Sequence, residues 1–117
     1  MRKIIEDYLV DILTECNYLL NRSKELTYEE FIQDEDLKRA FVRNLEVIGE
    51  ATKKIPQEIK MKYSQIPWGE MAGMRDKLIH EYFGISYEIV WETIMEDIPF
   101  LKRKIEEILN EIIKKEI

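Results

Sequence analysis

The chain has 117 residues, of which 45% are apolar, 36% are charged and only 7 are Gly or Pro, which predicts one helical domain spanning residues 1–117 and excludes two domains. A domain of this size is too shallow for a deep private active-site cavity, so we expect any site in a surface groove or between subunits. The net charge of −6 disfavours nucleic-acid binding through bulk electrostatic attraction.

The N-terminal part of the chain predicts one long and one short helix. A stripe of apolar residues at helical spacing indicates a first helix over about residues 2–22. Thr27 and Glu30 have the spacing of a capping box, which predicts a short helix over YEEFIQ, residues 28–33. The stripe consists of Ile5, Tyr8, Leu9, Ile12, Leu13, Cys16, Leu19 and Leu20.

A second long helix is predicted next, because Asp34 and Asp36 offer caps and the apolar spacing continues after them. We expect it to end near Lys54, since Pro56 disfavours a helical residue before it and suits the first turn of a new helix. The sequence QEIKMKY, residues 57–63, indicates that short helix. The apolar face of the long helix consists of Leu37, Phe41, Leu45, Ile48, Ala51 and Ile55.

The C-terminal half predicts three further segments. One helix opens at Pro67 and ends at Gly84, Ser86 caps the next, and Pro99 either kinks that helix or restarts it behind Asp97. The apolar residues expected inward are Tyr87, Val90, Trp91 and Ile94, followed by the amphipathic stretch Leu101, Ile105, Ile108, Leu109, Ile112 and Ile113.

These segments predict an all-α fold, an up-and-down bundle of four to five main helices, since no segment alternates with period two. The apolar stripes of the first, third and final helices exceed what one small bundle can hide, which favours a homodimer. The alternative is that the extra apolar residues are single exposed side chains. Acidic residues interrupt the apolar N-terminus, which predicts neither a signal peptide nor a membrane span, and a single cysteine fits a reducing cytoplasm.

Residues 38–62 form the basic part of the chain, with 7 basic and 3 acidic side chains. Two interpretations remain open, a surface that faces RNA phosphates and the solvated face of a helix. The basic side chains are Lys38, Arg39, Arg43, Lys53, Lys54, Lys60 and Lys62.

The side chains best suited to catalysis lie close together in the sequence. They occur in the run Arg75-Asp76-Lys77-Leu78-Ile79-His80-Glu81-Tyr82, which contains the only histidine. A guanidinium binds phosphate bidentately, an imidazole exchanges protons near neutral pH and a phenol donates or accepts a hydrogen bond, so the set suits metal-free RNA cleavage. A lone histidine is nevertheless often structural, and a helix turns about 140° over the five residues from Arg75 to His80.

Other kinds of site are poorly supported by the sequence. One histidine and scattered carboxylates give no metal-ligand spacing, and no phosphate-binding glycine loop or dinucleotide fingerprint occurs. No cofactor is therefore expected. Cys16 lies on the apolar stripe of the first helix and is expected in the core, as are Trp68 and Trp91.

The segments IGEATKKIP (48–56) and IPWGEMAGMRDKLIHEYFGISYEIVWETIMEDIP (66–99) resemble the HepT-like branch of the HEPN superfamily, small helical proteins paired with MNT-type minimal nucleotidyltransferases. Members carry an arginine, a polar residue, a histidine after a short gap, and a tyrosine two places later, which Arg75, Asp76, His80 and Tyr82 match in turn. Asparagine often follows the arginine in this branch, so Asp76 departs from the commonest form and adds a negative charge.

The resemblance implies a ribonuclease toxin of a type VII toxin–antitoxin system, with a composite site across a homodimer. Arg75 would hold the scissile phosphate, His80 would move the proton and Asp76 would orient one of them. The partner nucleotidyltransferase would inactivate the toxin by adding AMP to Tyr82. Two alternatives are a non-catalytic partner subunit of that nucleotidyltransferase and a structural helical adaptor.

Overall fold

The computed structural model describes residues 4–73 and 84–116. Every regular element in these ranges is helical, which confirms the predicted all-α fold. None of the helices described there is long and apolar enough to cross a membrane. In chain order the helices are α1 (Ile5–Ser23), α2 (Tyr28–Gln33), α3 (Glu35–Lys53), α4 (Gln57–Lys62), α5 (Trp68–Ala72), α6 (Tyr87–Glu92) and α7 (Ile98–Glu116), with a π-helical turn, Thr93–Asp97, between α6 and α7.

The helices α2, α3 and α6 begin directly after the capping residues predicted for them. At α2 the Glu30 backbone N–H donates to Thr27 Oγ1 at 3.1 Å and the Thr27 N–H donates to Glu30 Oε1 at 3.0 Å, which completes the capping box. Asp34 accepts from the Leu37 N–H at 3.0 Å at the start of α3. Ser86 Oγ accepts from a backbone N–H in the first turn of α6 at 3.4 Å. These side chains satisfy N–H groups that a helix start leaves without a partner.

The core lies where α1 packs against both α3 and α7. The predicted apolar face of α3 is buried along its whole length, so the expectation that α3 has apolar residues to spare is wrong. Exposed large apolar side chains occur instead on α1 and α7, where Val10 is 48% and Ile113 51% exposed. Asn44 of α3 donates to Glu15 of α1 at 3.0 Å and adds a polar contact beside the apolar ones.

An aromatic cluster joins α2, α3 and α6. The ring of Phe31 is fully buried and stacks on Phe41 at 5.3 Å and on Trp91 at 5.2 Å between ring centroids. Tyr87 meets Phe31 edge-on at 6.4 Å, and Tyr28 meets Trp91 in the same way at 6.1 Å. Stacked and edge-on pairs are favoured ring arrangements, so this cluster fixes α6 against the N-terminal half of the chain.

The π-helical turn explains how the chain accommodates Pro99. The Ile98 N–H donates to the Thr93 carbonyl, one residue further back than in an α-helix. Proline has no N–H to donate, and in a regular α-helix its ring clashes with the carbonyl four residues earlier. The wider turn removes that conflict. Residues 87–116 therefore form one continuous helical segment, so the alternative that Pro99 restarts the helix is wrong.

Candidate functional site

The predicted motif residues Arg75, Asp76, His80 and Tyr82 lie outside the described residues, as does most of the helix predicted to end at Gly84. The structure describes the chain up to Gly73, before the motif, and from Gly84, after it. The contacts of these two flanks show which helices support the chain on either side of the motif.

The flank before the motif is held by Trp68. Its indole is 7% exposed, and its Nε1–H donates to the Tyr63 carbonyl at 3.0 Å. Met71, also on α5, is buried, and α5 as a whole packs against α3. The predicted core role of Trp68 is therefore confirmed, and α3 supports the chain where it enters the motif.

The flank after the motif begins at Gly84, whose φ of 101° lies in a region that favours glycine. Ser86 then caps α6, and Trp91 anchors that helix in the aromatic cluster. Because α6 also contacts α3, both flanks of the motif rest on the same helix. Trp91 was also predicted in the core, but it is only partly buried and packs against the core instead of lying within it.

A groove of about 730 Å³ lies between α5, the π-helical turn and the start of α7. Its lining includes Gly73, two residues before Arg75 in the sequence, and apolar side chains such as Phe100. Three carboxylates also line it, those of Glu70, Glu96 and Asp97. Of the described residues that line the groove, three are acidic and none is basic, so the part of its wall that they form disfavours a phosphate.

The basic side chains predicted to face RNA differ in their surroundings. The Lys38 ammonium lies 2.8 Å from Glu35 and 4.7 Å from the Tyr87 ring centroid, and its side chain is only 12% exposed. This ammonium lowers the pKa of the Glu35 carboxyl, chiefly through their hydrogen bond. The Lys38 ammonium is therefore engaged in contacts within the chain and is a weak candidate for binding RNA phosphate.

The other basic side chains of α3, and Lys54 directly after it, are more open to solvent. Arg43 is 72% exposed and lies 4.0 Å from Glu46, and Lys53 is 43% exposed and lies 3.7 Å from Glu50. Arg39 and Lys54 are exposed. Exposed pairs of this kind are weak, so these four side chains remain accessible to an anion.

Cys16 is fully buried, and burial raises its pKa to about 12. A thiol in this state is protonated near neutral pH and is a poor nucleophile. The prediction that Cys16 belongs to the core is confirmed. Within residues 4–73 and 84–116, no group of three or more His, Cys, Asp or Glu side chains could hold a metal ion.

One cluster was not expected from the sequence. The Tyr63 hydroxyl, just after α4, donates a hydrogen bond to the Glu111 carboxylate of α7, and Lys62 Nζ lies 3.6 Å from the same carboxylate. Tyr63 and Glu111 are 48 residues apart in the sequence. No local spacing rule connects positions so distant, and only the folded chain brings them together.

Comparison with known proteins bears on the whole chain. A family described as ribonuclease HepT-like matches residues 5–108, a range that includes the motif. A protein of Caldanaerobacter subterraneus subsp. tengcongensis, whose name proposes it to be an RNase, is 55% identical over 103 residues, covering 88% of this chain and 92% of its own length.

Two archaeal proteins are similar over nearly their full lengths. One from Methanocaldococcus jannaschii, also proposed by its name to be an RNase, is 48% identical over 114 residues, covering 97% of this chain and 98% of its own. One from Thermococcus cleftensis, whose name proposes a ribonuclease HepT, is 44% identical over 108 residues, covering 92% of this chain and 98% of its own length. No solved structure matches the chain.

Proposed function

We propose, since the chain belongs to the HepT-like ribonuclease family, that it is an endoribonuclease. The observation that carries the proposal is the family match over residues 5–108, which spans the Arg75 to Tyr82 motif and both of its flanks. The relatives named as RNases support the same conclusion because they cover about nine-tenths or more of this chain.

We assign Arg75 to the scissile phosphate and His80 to proton transfer. The imidazole accepts the proton of the RNA 2′-hydroxyl as that oxygen attacks the adjacent phosphorus. The bond from phosphorus to the 5′-oxygen breaks, and the leaving oxygen takes up a proton. The products end in a 2′,3′-cyclic phosphate and a 5′-hydroxyl. The Arg75 guanidinium stabilises the charge that develops on the phosphate oxygens, and Asp76 orients one of the two side chains.

No metal ion is required in this scheme, and that defines the first experiment. Purified protein incubated with RNA in EDTA is expected to release fragments with 2′,3′-cyclic phosphate ends. His80→Ala should lose this cleavage, whereas Lys24→Ala, a change at an exposed position on α1's C-terminal side, should retain it. Equal cleavage by wild type and His80→Ala would contradict the assigned role of His80.

We also propose that two chains form the active site together as a homodimer. Support comes from apolar side chains left exposed on α1, including Val10 and Tyr18, and on α7, including Ile113. A second copy could cover such residues, and a shared cleft would supply the depth that one small domain lacks. Sedimentation equilibrium tests this, and a monomer at the concentrations where RNA is cleaved would refute it.

The cellular role we propose is that of a toxin in the cytoplasm, neutralised by an MNT-type nucleotidyltransferase. Transfer of AMP to Tyr82 would place bulk and negative charge where RNA phosphate must bind. Intact mass after co-expression with an MNT-type nucleotidyltransferase from the same genome should increase by AMP units. Tyr82→Phe should show no increase, and Tyr18→Phe should behave as wild type. Growth arrest on expression without the partner should disappear in Arg75→Ala.

The acidic groove favours a second candidate function, a non-catalytic partner subunit of the nucleotidyltransferase. Glu70, Glu96 and Asp97 line the groove beside the start of the motif, and basic side chains on a partner protein would complement these three carboxylates. In this case the nucleotidyltransferase binds the chain but no RNA is cleaved in EDTA. Charge reversal of Glu96 and Asp97 to lysine should then weaken the complex, and unchanged affinity would exclude this use of the groove.

A further inference from the structure

Tyr63 binds two other parts of the fold through different atoms. Its hydroxyl donates a hydrogen bond to the Glu111 carboxylate of α7. Its backbone carbonyl accepts from the Ile66 N–H at 3.2 Å and from the indole N–H of Trp68 at 3.0 Å. Tyr63 therefore connects the C-terminal half of α7 to the chain that leads into α5.

The α7 end of this connection is held by the core. Glu111 closely follows Ile108 and Leu109, whose side chains are buried, so the backbone that carries the carboxylate cannot shift without disturbing the packing. The hydrogen bond from Tyr63 lowers the pKa of the Glu111 carboxyl, which is therefore ionised near neutral pH. A hydrogen bond to an ionised acceptor is stronger than one between neutral groups, so Glu111 is a firm anchor for the Tyr63 hydroxyl.

The end of α4 needs such an anchor because burial fixes this short helix only weakly. No residue of α4 is buried, and Ile59 is only partly buried against the core. Tyr63, directly after α4, is also partly buried. A segment with few buried apolar contacts opens at a low free-energy cost. The hydrogen bond to Glu111 therefore restricts where the Tyr63 carbonyl can lie.

The other end of the connection is Trp68, the first residue of α5. Its indole is 7% exposed, and α5 ends at Ala72, three residues before Arg75. A buried N–H that loses its acceptor costs free energy, so the indole of Trp68 follows the Tyr63 carbonyl. A displacement of that carbonyl would thus be passed to α5, which leads into the segment that contains the motif.

We propose that Tyr63 is a positioning residue for the Arg75 to Tyr82 motif. By binding Glu111, it fixes the carbonyl that holds Trp68, and Trp68 sets the direction in which the chain leaves α5. This inference rests on the proposed ribonuclease function. Because Tyr63 acts through Trp68 and not on the RNA, loss of its hydroxyl should slow cleavage more than it weakens RNA binding.

The first experiment follows the indole N–H groups of the two tryptophans by NMR in the ¹⁵N-labelled full chain, with the signals assigned from Trp91→Phe. Tyr63→Phe removes only the hydroxyl. It should shift the Trp68 signal and raise the hydrogen-exchange rate of that N–H about tenfold, the ratio for loss of one hydrogen bond to a charged group. Tyr28→Phe removes a hydroxyl from a ring that packs against Trp91 and should leave the Trp68 signal unchanged.

The second experiment measures kcat and KM for RNA cleavage in EDTA. Tyr63→Phe should lower kcat about tenfold and leave KM within about twofold of wild type. Glu111→Ala should have the same effect, and the double variant should lose no more than either single variant, because both remove one hydrogen bond. Glu111→Gln keeps an oxygen acceptor and should recover most of kcat. Glu107→Ala removes another exposed α7 carboxylate and should match wild type.

Failure of this inference and failure of the proposed function give different results. If wild type cleaves RNA but Tyr63→Phe keeps the wild-type kcat, or the wild-type Trp68 signal and exchange rate, only the positioning role is refuted. Additive losses from Tyr63→Phe and Glu111→Ala would refute it as well. If wild type does not cleave RNA, the ribonuclease function is refuted and the positioning role with it.

Discussion

Phe31 joins three helices through one buried ring, and its truncation should destabilise the fold severely. The side chain is fully buried, with Phe41 and Trp91 stacked on it at 5.3 and 5.2 Å and Tyr87 edge-on at 6.4 Å. Replacing a buried phenylalanine with alanine typically costs about 3–5 kcal/mol. Two stacked partners each add about 0.5–1.5 kcal/mol beyond burial, which places Phe31→Ala near the upper end, at about 4–5 kcal/mol.

Urea denaturation followed by circular dichroism measures this loss. With about 4 °C in Tm per kcal/mol for a chain of this size, Tm should fall by about 16–20 °C. Phe31→Leu leaves a smaller cavity than Phe31→Ala and should therefore lose clearly less stability. Met61→Ala is the control, because that side chain is 70% exposed and its removal should stay within about 0.5 kcal/mol. A loss below about 2 kcal/mol for Phe31→Ala would show that the aromatic cluster does not hold α6 in place.

Three further predictions concern a cap, a turn and a thiol. Thr27→Ala removes the capping box of α2 and should lower the free energy of unfolding by about 1 kcal/mol in urea denaturation. Thr27→Ser keeps a hydroxyl that can cap the helix and should lose only a small part of that free energy. Gly84→Ala forces a side chain onto a φ of 101° and should cost about 1–2 kcal/mol in the same assay; no change would mean that the turn relaxes freely. Burial raises the pKa of Cys16 to about 12, above that of an unfolded thiol, so the folded state should be stable up to about pH 8.5 and lose stability as pH rises toward 12. Urea midpoints between pH 8 and 11 measure this loss, and Cys16→Ala should show less of it.

Much of the fold could be predicted because its determinants are local. Thr27, Asp34 and Ser86 cap helices through contacts within one turn, and the apolar face of α3 follows from periodicity alone. The family was also recognisable, since its motif lies within one short run of residues.

Other features depend on contacts between segments distant in the sequence. The basic character of Lys38 gave no sign that the Tyr87 ring would lie 4.7 Å from its ammonium, and the sequence around Glu111 gave no sign of its contacts with Tyr63 and Lys62. The acidic groove likewise forms from α5 and the segment that follows α6. Such features arise only when the helices pack, and a pattern within one helix does not contain them.

The π-helical turn also determines where the chain can change in length. The buried residues Val90, Ile94 and Ile98 are spaced by four, and two such steps along a regular α-helix overshoot the buried face by about 80°. The wider turn at residues 93–97 absorbs this excess, so it holds one residue more than an α-helical turn needs. We therefore expect deletion of Met95, which is 41% exposed, to be tolerated only when Pro99 is also replaced by alanine, because the turn then tightens to α-helical geometry without the proline clash and α7 keeps its buried face. A deletion in the middle of α7 would instead rotate every later residue by about 100°. Among homologues without a proline at the position of Pro99, single-residue length differences in this helical segment should accordingly fall at residues 93–97.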